Sequence, residues 1–169
     1  WTQGHEVGQK WKVAMSGVNK LRKSLTTDQK NKYGVIVALD KIEPLPHTLS
    51  QTEQLGPTRI IIVDDKAKNI IHEKKKIKLA RETMLINPAT TVTPVWINQG
   101  RTKDQVPNEY TIDTFKKKYT SINDIRELLV LRRIYGQDPI SWLIDFDHTL
   151  AFSAGMDDAL CKKIAQLFA

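Results

Sequence analysis

Two apolar segments of the sequence each end in a pair of closely spaced aspartates. The first, RIIIV, is followed by Asp64 and Asp65, and the second, ISWLI, is followed by Asp145 and Asp147. Like-charged carboxylates that meet at strand ends are costly unless a cation neutralises them. No Cys or His cluster accompanies these acids, and oxygen ligands suit Mg²⁺ better than Zn²⁺. The pattern therefore predicts a Mg²⁺ site.

Strand-like and helix-like segments alternate along the chain, and this alternation decides where those acids lie. Continuous β-branched runs are typical of strands buried on both faces in parallel sheets, and apolar residues spaced three or four apart predict helices. We expect strands at 33–39, 59–63, 93–98, 110–112 and 140–144, and helices at 5–25, 50–55, 66–79, 121–135 and 156–168. The order predicts a three-layer α/β protein with a mainly parallel sheet. Ligands bind such sheets at the carboxyl ends of strands, where the aspartates are expected.

Length, charge and composition narrow the class of protein. The 169 residues carry a net charge of +7 and one cysteine. We expect one domain over residues 1–169 and no membrane span, because no apolar run approaches the roughly 18 residues that a span needs. A single cysteine excludes an intrachain disulfide and favours a cytoplasmic setting. The charge permits a nucleic-acid partner, but the lysine runs at 74–76 and 116–118 have no interleaved aromatic residues, so solvated helix faces are favoured.

Three segments resemble motifs of the haloacid dehalogenase (HAD) superfamily of aspartate-nucleophile phosphohydrolases. LIDFDHTLAF, residues 143–152, is similar to motif I, in which Asp-x-Asp-x-Thr follows an apolar strand. IIIVDDKAKNI, residues 60–70, resembles motif IV, with paired acids ahead of Asn69. WTQGHEVGQKWKVAMSGV, residues 1–18, resembles motif II. TPVWINQGR and EYTIDTF resemble later family segments, so the resemblance covers most of the chain.

The order of these motifs departs from the pattern of the family, which runs from motif I to motif IV. Here motif II comes first and motif I comes last. Following the chain as a circle, from residue 140 through residue 169 and on to residue 1, restores the order. The resemblance therefore implies a Rossmann-like HAD core that is circularly permuted and has no large cap. Compact domains tolerate circular permutation because their termini often lie close together. A fragment of two tandem copies and segments joined out of natural order are the alternatives.

The resemblance also implies roles for the acids. Asp145 is expected to be the nucleophile that forms an aspartyl-phosphate, and Asp147 the general acid and base. Mg²⁺ is expected to be held by Asp145, Asp147, Asp65 and Asp64. The structural alternative is that each acidic pair only caps the turn or helix that follows it.

Three further residues are expected to act on the phosphate group. Thr2 is expected to donate a hydrogen bond to a phosphate oxygen, assisted by the amide of Gln3, although a plain helix N-cap is the alternative role for Thr2. Lys41 follows the strand predicted at 33–39 and is the candidate for the lysine of motif III, which offsets the charge of nucleophile and phosphate. The loop around Lys41 lacks the Lys-Pro pair that is common in the family.

These expectations combine into a Mg²⁺-dependent phosphohydrolase that acts on a phosphorylated substrate through an aspartyl-phosphate. A catalytically degenerate HAD-fold module that binds nucleic acid or a protein assembly is the main alternative. A receiver-like signalling domain is a third, since RIIIVDD resembles the first strand of a receiver. It is disfavoured because Asp113, the candidate phospho-acceptor, does not follow an apolar strand.

Overall fold

The computed structural model describes the middle of the chain almost continuously and the two ends in short pieces. The described residues are 2–3, 6–15, 23, 25–27, 37–38, 59–98, 106–135, 140–145, 149 and 159. None of the helices in these ranges combines the length and the apolarity that crossing a membrane requires.

Strands and helices alternate through the described part of the chain. The strands are β1 (Thr2–Gln3), β2 (Val37–Ala38), β3 (Arg59–Asp64), β4 (Thr91–Ile97), β5 (Thr120–Ile122) and β6 (Ile140–Ile144). The helices are α1 (Glu6–Met15), α2 (Ala67–Glu82), α3 (Ile112–Lys118) and α4 (Leu128–Ile134), with a 3₁₀ turn at Ile125–Glu127 directly before α4. The predicted α/β class is confirmed.

Four of the strands form one sheet in the order β5-β4-β3-β6, and every pairing in it is parallel. Within β3, Val63 lies opposite Val95 on one side and Ile144 on the other. β1 and β2 form a separate parallel pair, in which Thr2 lies opposite Val37. The expectation of a mainly parallel sheet is confirmed for these strands, and the architecture is consistent with a Rossmann-like fold.

The continuous apolar run of β3 is explained by burial on both faces of the sheet. Ile60 and Ile62 pack with Ile77 of α2, whereas Ile61 and Val63 pack in a second cluster with residues of the 3₁₀ turn and α4. Burying each aliphatic side chain of this size contributes roughly 1.5–3 kcal/mol. Because neither face of the strand is exposed to solvent, β3 lacks the alternation of polar and apolar residues that a strand with one exposed face shows.

The path of the chain reverses its direction across the sheet next to β3. From β3 the chain passes through α2 to β4 and through α3 to β5, and it then returns through α4 to β6 on the other side of β3. The helix that leaves the carboxyl end of β3, α2, and the helix that leads into β6, α4, pack against opposite faces of the sheet. In open α/β sheets such a switch point leaves a crevice at the carboxyl ends of the strands, where ligands bind.

The strand predicted at 110–112 is wrong, because Ile112 begins helix α3. Thr111 is the N-cap: its hydroxyl accepts a hydrogen bond from the backbone N–H of Thr114 at 3.1 Å. In return the Thr114 hydroxyl accepts from the backbone N–H of Thr111 at 2.8 Å. This reciprocal capping box stabilises the helix start and outweighs the β-propensity of the short Tyr-Thr-Ile run.

The helix predicted at 121–135 is wrong over its first turn. Thr120–Ile122 is strand β5, which pairs with β4. The helical segment starts later, capped by Asp124, whose carboxylate accepts from the backbone N–H of Arg126 at 2.7 Å. Glu127 completes the box by accepting from the N–H of Asp124 at 3.1 Å. The helical segment is therefore capped at Asp124 and not at Ser121, because residues 120–122 pair with the edge of β4.

Helix α2, predicted at 66–79, begins one residue later and ends three residues later, at Glu82. It closes in a Schellman motif, in which the N–H of Leu85 donates to the carbonyl of Ala80 at 2.8 Å and the N–H of Met84 donates to the carbonyl of Arg81 at 3.1 Å. Met84 has a φ of 56°, the left-handed conformation that this motif requires and that glycine adopts most easily. The sequence shows no Gly or Pro that would mark this helix end.

The remaining predicted elements are described only in part. The helix expected at 5–25 contains α1, Glu6–Met15, and Leu25 lies outside any helix. The strand expected at 33–39 contains β2, Val37–Ala38. The helices expected at 50–55 and 156–168 lie outside the described residues, apart from Ala159, which is helical.

Candidate metal centre

The two acidic motifs meet because strands β3 and β6 are neighbours in register. The ladder between them continues past the last strand residue: the backbone N–H of Asp145 donates to the carbonyl of Val63 at 2.8 Å. In a parallel pair both strands run in the same direction, so the residues after both strands lie at the same edge of the sheet. Asp145 is thereby placed beside Asp64 and Asp65.

Three carboxylates converge at this edge and are almost completely buried. One oxygen from each of Asp64, Asp65 and Asp145 lies within 4.8 Å of the others, and the residues are 1%, 4% and 2% exposed. At such separations two negative charges repel by roughly 4 kcal/mol at an effective dielectric constant of about 20. A buried group of three carboxylates is therefore costly unless a cation, protons or hydrogen-bond donors offset its charge.

Asp64 is fixed by two hydrogen bonds from the start of helix α2. Its Oδ1 accepts from the backbone N–H of Lys66 at 2.8 Å, and its Oδ2 accepts from the side-chain Nδ2 of Asn69 at 2.9 Å. Asn69 is itself buried, in the first turn of α2. The spacing in the sequence DDKAKN thus places an amide donor against the acid five residues before it. The predicted capping role is present here in part, because Asp64 accepts from a backbone N–H at the helix start.

Asp65 is held through its main chain by the adjacent strand. The indole Nε1 of Trp96 donates to the carbonyl oxygen of Asp65 at 2.9 Å. Trp96 lies on β4 opposite Asp64 and is completely buried, packed with Phe115 and Ala67. This hydrogen bond holds the main chain of Asp65 against the buried core and thereby fixes the position of its Cα atom. This indole has a polar contact in addition to the packing role that a strand tryptophan would be expected to have.

Asp145 receives a hydrogen bond from Thr149, whose hydroxyl lies 3.4 Å from Oδ2. Thr149 is completely buried. This is the threonine of the Asp-x-Asp-x-Thr pattern. In the structure it contacts the first aspartate of the pattern and orients that carboxylate.

Two buried polar residues near this region were not selected from the sequence. Glu73 is 1% exposed and lies one helical turn after Asn69 on the same side of α2. Asn98 is 7% exposed and follows β4 at the edge where Asp64 ends β3, and its N–H donates to the carbonyl of Ile122 at 2.7 Å. The signal for Glu73 was available, since it stands four residues after Asn69 on the apolar stripe of α2.

The other predicted site residues lie in β1 or outside the described residues. Thr2 and Gln3 lie in β1, paired with Val37 and Ala38 of β2. Asp147 and Lys41 lie outside the described residues. The expected phosphate-binding role of Thr2, Gln3 and Lys41, and the acid-base role of Asp147, therefore remain predictions.

Comparison with protein-family models, with curated proteins and with solved structures gives no match to this chain. The fold and the three buried carboxylates consequently carry the functional argument by themselves. They define an α/β protein with a candidate metal centre at the switch point of a parallel sheet.

Proposed function

We propose that this chain is a Mg²⁺-dependent phosphohydrolase of the HAD type, which acts on a phosphorylated substrate through an aspartyl-phosphate. The observation that carries the proposal is the convergence of Asp64, Asp65 and Asp145, buried and within 4.8 Å of one another. They lie where α/β sheets bind ligands. A purely structural role does not explain this arrangement, because clustering buried carboxylates costs free energy unless their charge is offset.

The residues present fit a hard divalent cation. All three donors are carboxylates, with no His or Cys among them, and Mg²⁺ prefers oxygen ligands and is commonly held by one or two carboxylates together with phosphate oxygens. Asp65 and Asp145 are the proposed principal ligands, with Asp64 beside them and with a contribution from Asp147. When bound, Mg²⁺ supplies positive charge that offsets the charge of the phosphoryl group.

The proposed chemistry on the chain has two steps. A carboxylate oxygen of Asp145 attacks phosphorus in line with the leaving oxygen, so that a new O–P bond forms while the ester O–P bond breaks. Asp147 gives its proton to the leaving oxygen. Asp147 then takes a proton from water, the resulting hydroxide attacks the aspartyl-phosphate, and phosphate leaves with the Asp145 carboxylate restored. Thr149 supports the first step, since its hydrogen bond to Oδ2 limits rotation of the nucleophile.

The phosphate-binding part of the proposal rests on the resemblance to the family. Thr2 and the amide of Gln3 are proposed to donate hydrogen bonds to phosphate oxygens, and Lys41 to offset their charge. In the described part of the chain, the strand that carries Thr2 and Gln3 pairs in parallel with β2, apart from the four-stranded sheet. The catalytic contribution of all three is charge stabilisation and positioning.

We further infer that the chain has the order of a circularly permuted HAD core. The parallel pairing of β6 with β3 supports this, because it brings the strand of motif I beside the strand of motif IV although motif I comes last in the chain. Opening the chain before Ile140 and joining residue 169 to residue 1 through a short apolar strand should therefore restore the usual order and preserve activity. Failure of the rearranged chain to fold would argue for one of the alternative origins of the order.

The test of the function measures hydrolysis of an aryl phosphate with Mg²⁺ and with a chelator. We expect turnover of the wild-type protein only with Mg²⁺ and none for Asp145→Asn, because the near-isosteric amide cannot accept the phosphoryl group. A labelled, hydroxylamine-sensitive phosphoprotein should form in the wild type and be absent in Asp145→Asn.

The matched control is Asp113→Asn, which makes the same change of charge at an exposed position on α3. It should leave turnover unchanged. Wild-type turnover by Asp145→Asn would show that the nucleophile is assigned wrongly. Stabilisation by Mg²⁺ without turnover of any phosphate ester would instead favour a metal-binding module without catalysis.

A further inference from the structure

Two lysines that are far apart in the sequence meet over one tyrosine ring. The Nζ atom of Lys74, on α2, lies 5.1 Å from the centroid of the Tyr119 ring, and that of Lys118, on α3, lies 5.7 Å from the same centroid. Lys118 also lies 4.8 Å from the centroid of the Tyr110 ring. The runs 74–76 and 116–118 are therefore parts of one surface, and this surface contains the aromatic residues that neither run contains in the sequence.

This surface, formed by Lys74, Lys118, Tyr110 and Tyr119, is built on the core and hence has a defined shape. Tyr119 stacks on Phe115 with the ring centroids 4.4 Å apart, and Tyr110 meets Phe115 edge-on at 5.5 Å. Both tyrosines are half-buried, so the rings are held in place while their outer parts reach solvent.

The same rings connect the lysine–tyrosine surface to the metal centre. Phe115 packs against Trp96 with the ring centroids 5.0 Å apart, and Trp96 donates to the carbonyl of Asp65. The surface and the carboxylates thus lie on the two sides of a single aromatic core.

The surface has an excess of positive charge. In the described part of the chain, no carboxylate forms an ion pair with any of the six lysines of the two runs. Their polar contacts are instead with neutral groups: Lys116 donates to the Oδ1 atom of Asn123, and Lys118 donates to the hydroxyl of Tyr110. In the segment 106–119, the acids Glu109 and Asp113 are outnumbered by Lys116, Lys117 and Lys118. A positive field of this kind attracts polyanions.

We propose that the lysine–tyrosine surface binds the phosphate backbone of a single-stranded nucleic acid. Closely spaced amines neutralise successive phosphates and release counterions, and the half-buried Tyr110 ring beside this basic track offers a stacking surface to an unpaired base. The Tyr119 ring is covered on one face by Phe115 and is approached by both lysines, so it positions the amines and does not stack on bases. Both rings are half-buried, so little apolar surface projects that could insert into lipid. The proposal goes beyond the phosphohydrolase activity and does not depend on it, because neither lysine belongs to the metal centre.

The test uses the whole chain in the presence of a chelator, with a fluorescently labelled thymidine oligonucleotide as the probe. Binding is measured by anisotropy over a series of salt concentrations for the wild type and for the double variant Lys74→Gln/Lys118→Gln. For single strands the logarithm of affinity falls with the logarithm of salt by about 0.7 per phosphate contact. Loss of two contacts should therefore make the slope shallower by about 1.4, with weaker binding at low salt.

The matched control is Arg126→Gln/Arg133→Gln, which removes the same charge from exposed positions at the opposite face of the sheet. It should leave the salt slope unchanged. An equal loss in both double variants would overturn the proposal in favour of net charge alone. So would the absence of oligonucleotide binding by the wild type, or selective binding to phosphatidylcholine vesicles that contain phosphatidylserine. If Lys74→Gln/Lys118→Gln does not fold, Lys74→Glu alone, at an exposed position, provides the same comparison.

Discussion

The backbone N–H of Asp145 donates to the carbonyl oxygen of Val63 at 2.8 Å, and this hydrogen bond joins the two acidic motifs of the chain. It extends the ladder between β6 and β3 by one residue beyond the paired strand. The Asp145 carboxylate is therefore positioned by the sheet itself and not by a loop. Positioning by a strand explains how three like charges can be held together, since the sheet prevents them from moving apart.

The first prediction is that Asp145→Asn has opposite effects on stability with and without metal. In chelator it should raise the melting temperature, by about 0.5–2 kcal/mol of unfolding free energy, because it removes one charge from a repelling group. With Mg²⁺ at a hundredfold excess over its dissociation constant, the wild type should gain about 2.7 kcal/mol, and the variant should lose most of that gain. Thermal melting under both conditions measures each effect. A variant that is less stable than the wild type in chelator would argue against repulsion at the site.

The second prediction concerns the donor that holds Asp64. Asn69→Ala removes the hydrogen bond from Nδ2 to Oδ2 and should destabilise the protein by about 1–3 kcal/mol, since a buried acceptor loses its partner. Asn69→Asp should be worse in chelator, because it adds a fourth carboxylate, and it should regain more stability with Mg²⁺ than the wild type does. Urea unfolding with and without metal separates the two variants. Asn87→Asp, at an exposed turn, is the control and should change stability by less than about 0.5 kcal/mol.

The third prediction concerns the end of helix α2. Met84 adopts a φ of 56° and is 81% exposed, so glycine there relieves backbone strain and loses little buried surface. Met84→Gly should stabilise the protein by about 1 kcal/mol, because a left-handed conformation costs roughly 1–2 kcal/mol for a residue with a Cβ atom. Met84→Ala keeps the Cβ atom and should be close to neutral. Equal melting temperatures for the glycine and alanine variants would show that the strain is absent in solution.

The fourth prediction is a pH dependence at the lysine–tyrosine surface. The hydrogen bond from Lys118 lowers the pKa of Tyr110, and a hydrogen bond with Tyr119 lowers it further, whereas burial raises the pKa of Tyr119. A neighbouring cation favours the phenolate, so Tyr110 should titrate below and Tyr119 above the ordinary range of tyrosine. Lys118→Met should therefore raise the pKa of Tyr110. Absorbance titration of the phenolates measures this, and Tyr110→Phe identifies the transition by removing it.

Much of the fold could be predicted from local patterns in the sequence. The strands at 59–63 and 140–144 and the helix that follows the first of them are confirmed, because short, mostly apolar runs rich in β-branched residues suit strands of a parallel sheet that is covered on both faces. Convergence of Asp64, Asp65 and Asp145 was predicted from the same patterns, and the structure places these three together. The reason is general: parallel strands end at one edge.

Local sequence patterns did not predict the type of element correctly for two short segments rich in β-branched residues. The β-branched segments at 110–112 and 120–122 look alike in the sequence, yet Ile112 begins a helix while Thr120–Ile122 joins the sheet. The two segments differ in their hydrogen-bond partners. Thr111 and Thr114 form the reciprocal hydrogen bonds of a capping box, whereas the backbone of 120–122 pairs with the edge of strand β4.

The sequence by itself thus determined the types of the main elements and the acids that end two of the strands, because helical and strand periodicity are local properties. Only the tertiary structure decided that β6 lies against β3, that Thr149 and Asn69 contact the acids, and that Lys74 and Lys118 share the ring of Tyr119. Each of these contacts depends on strand order or on how helices pack over the sheet. Strand order and helix packing arise from the burial of apolar surface by the whole domain, and no local stretch of sequence contains them.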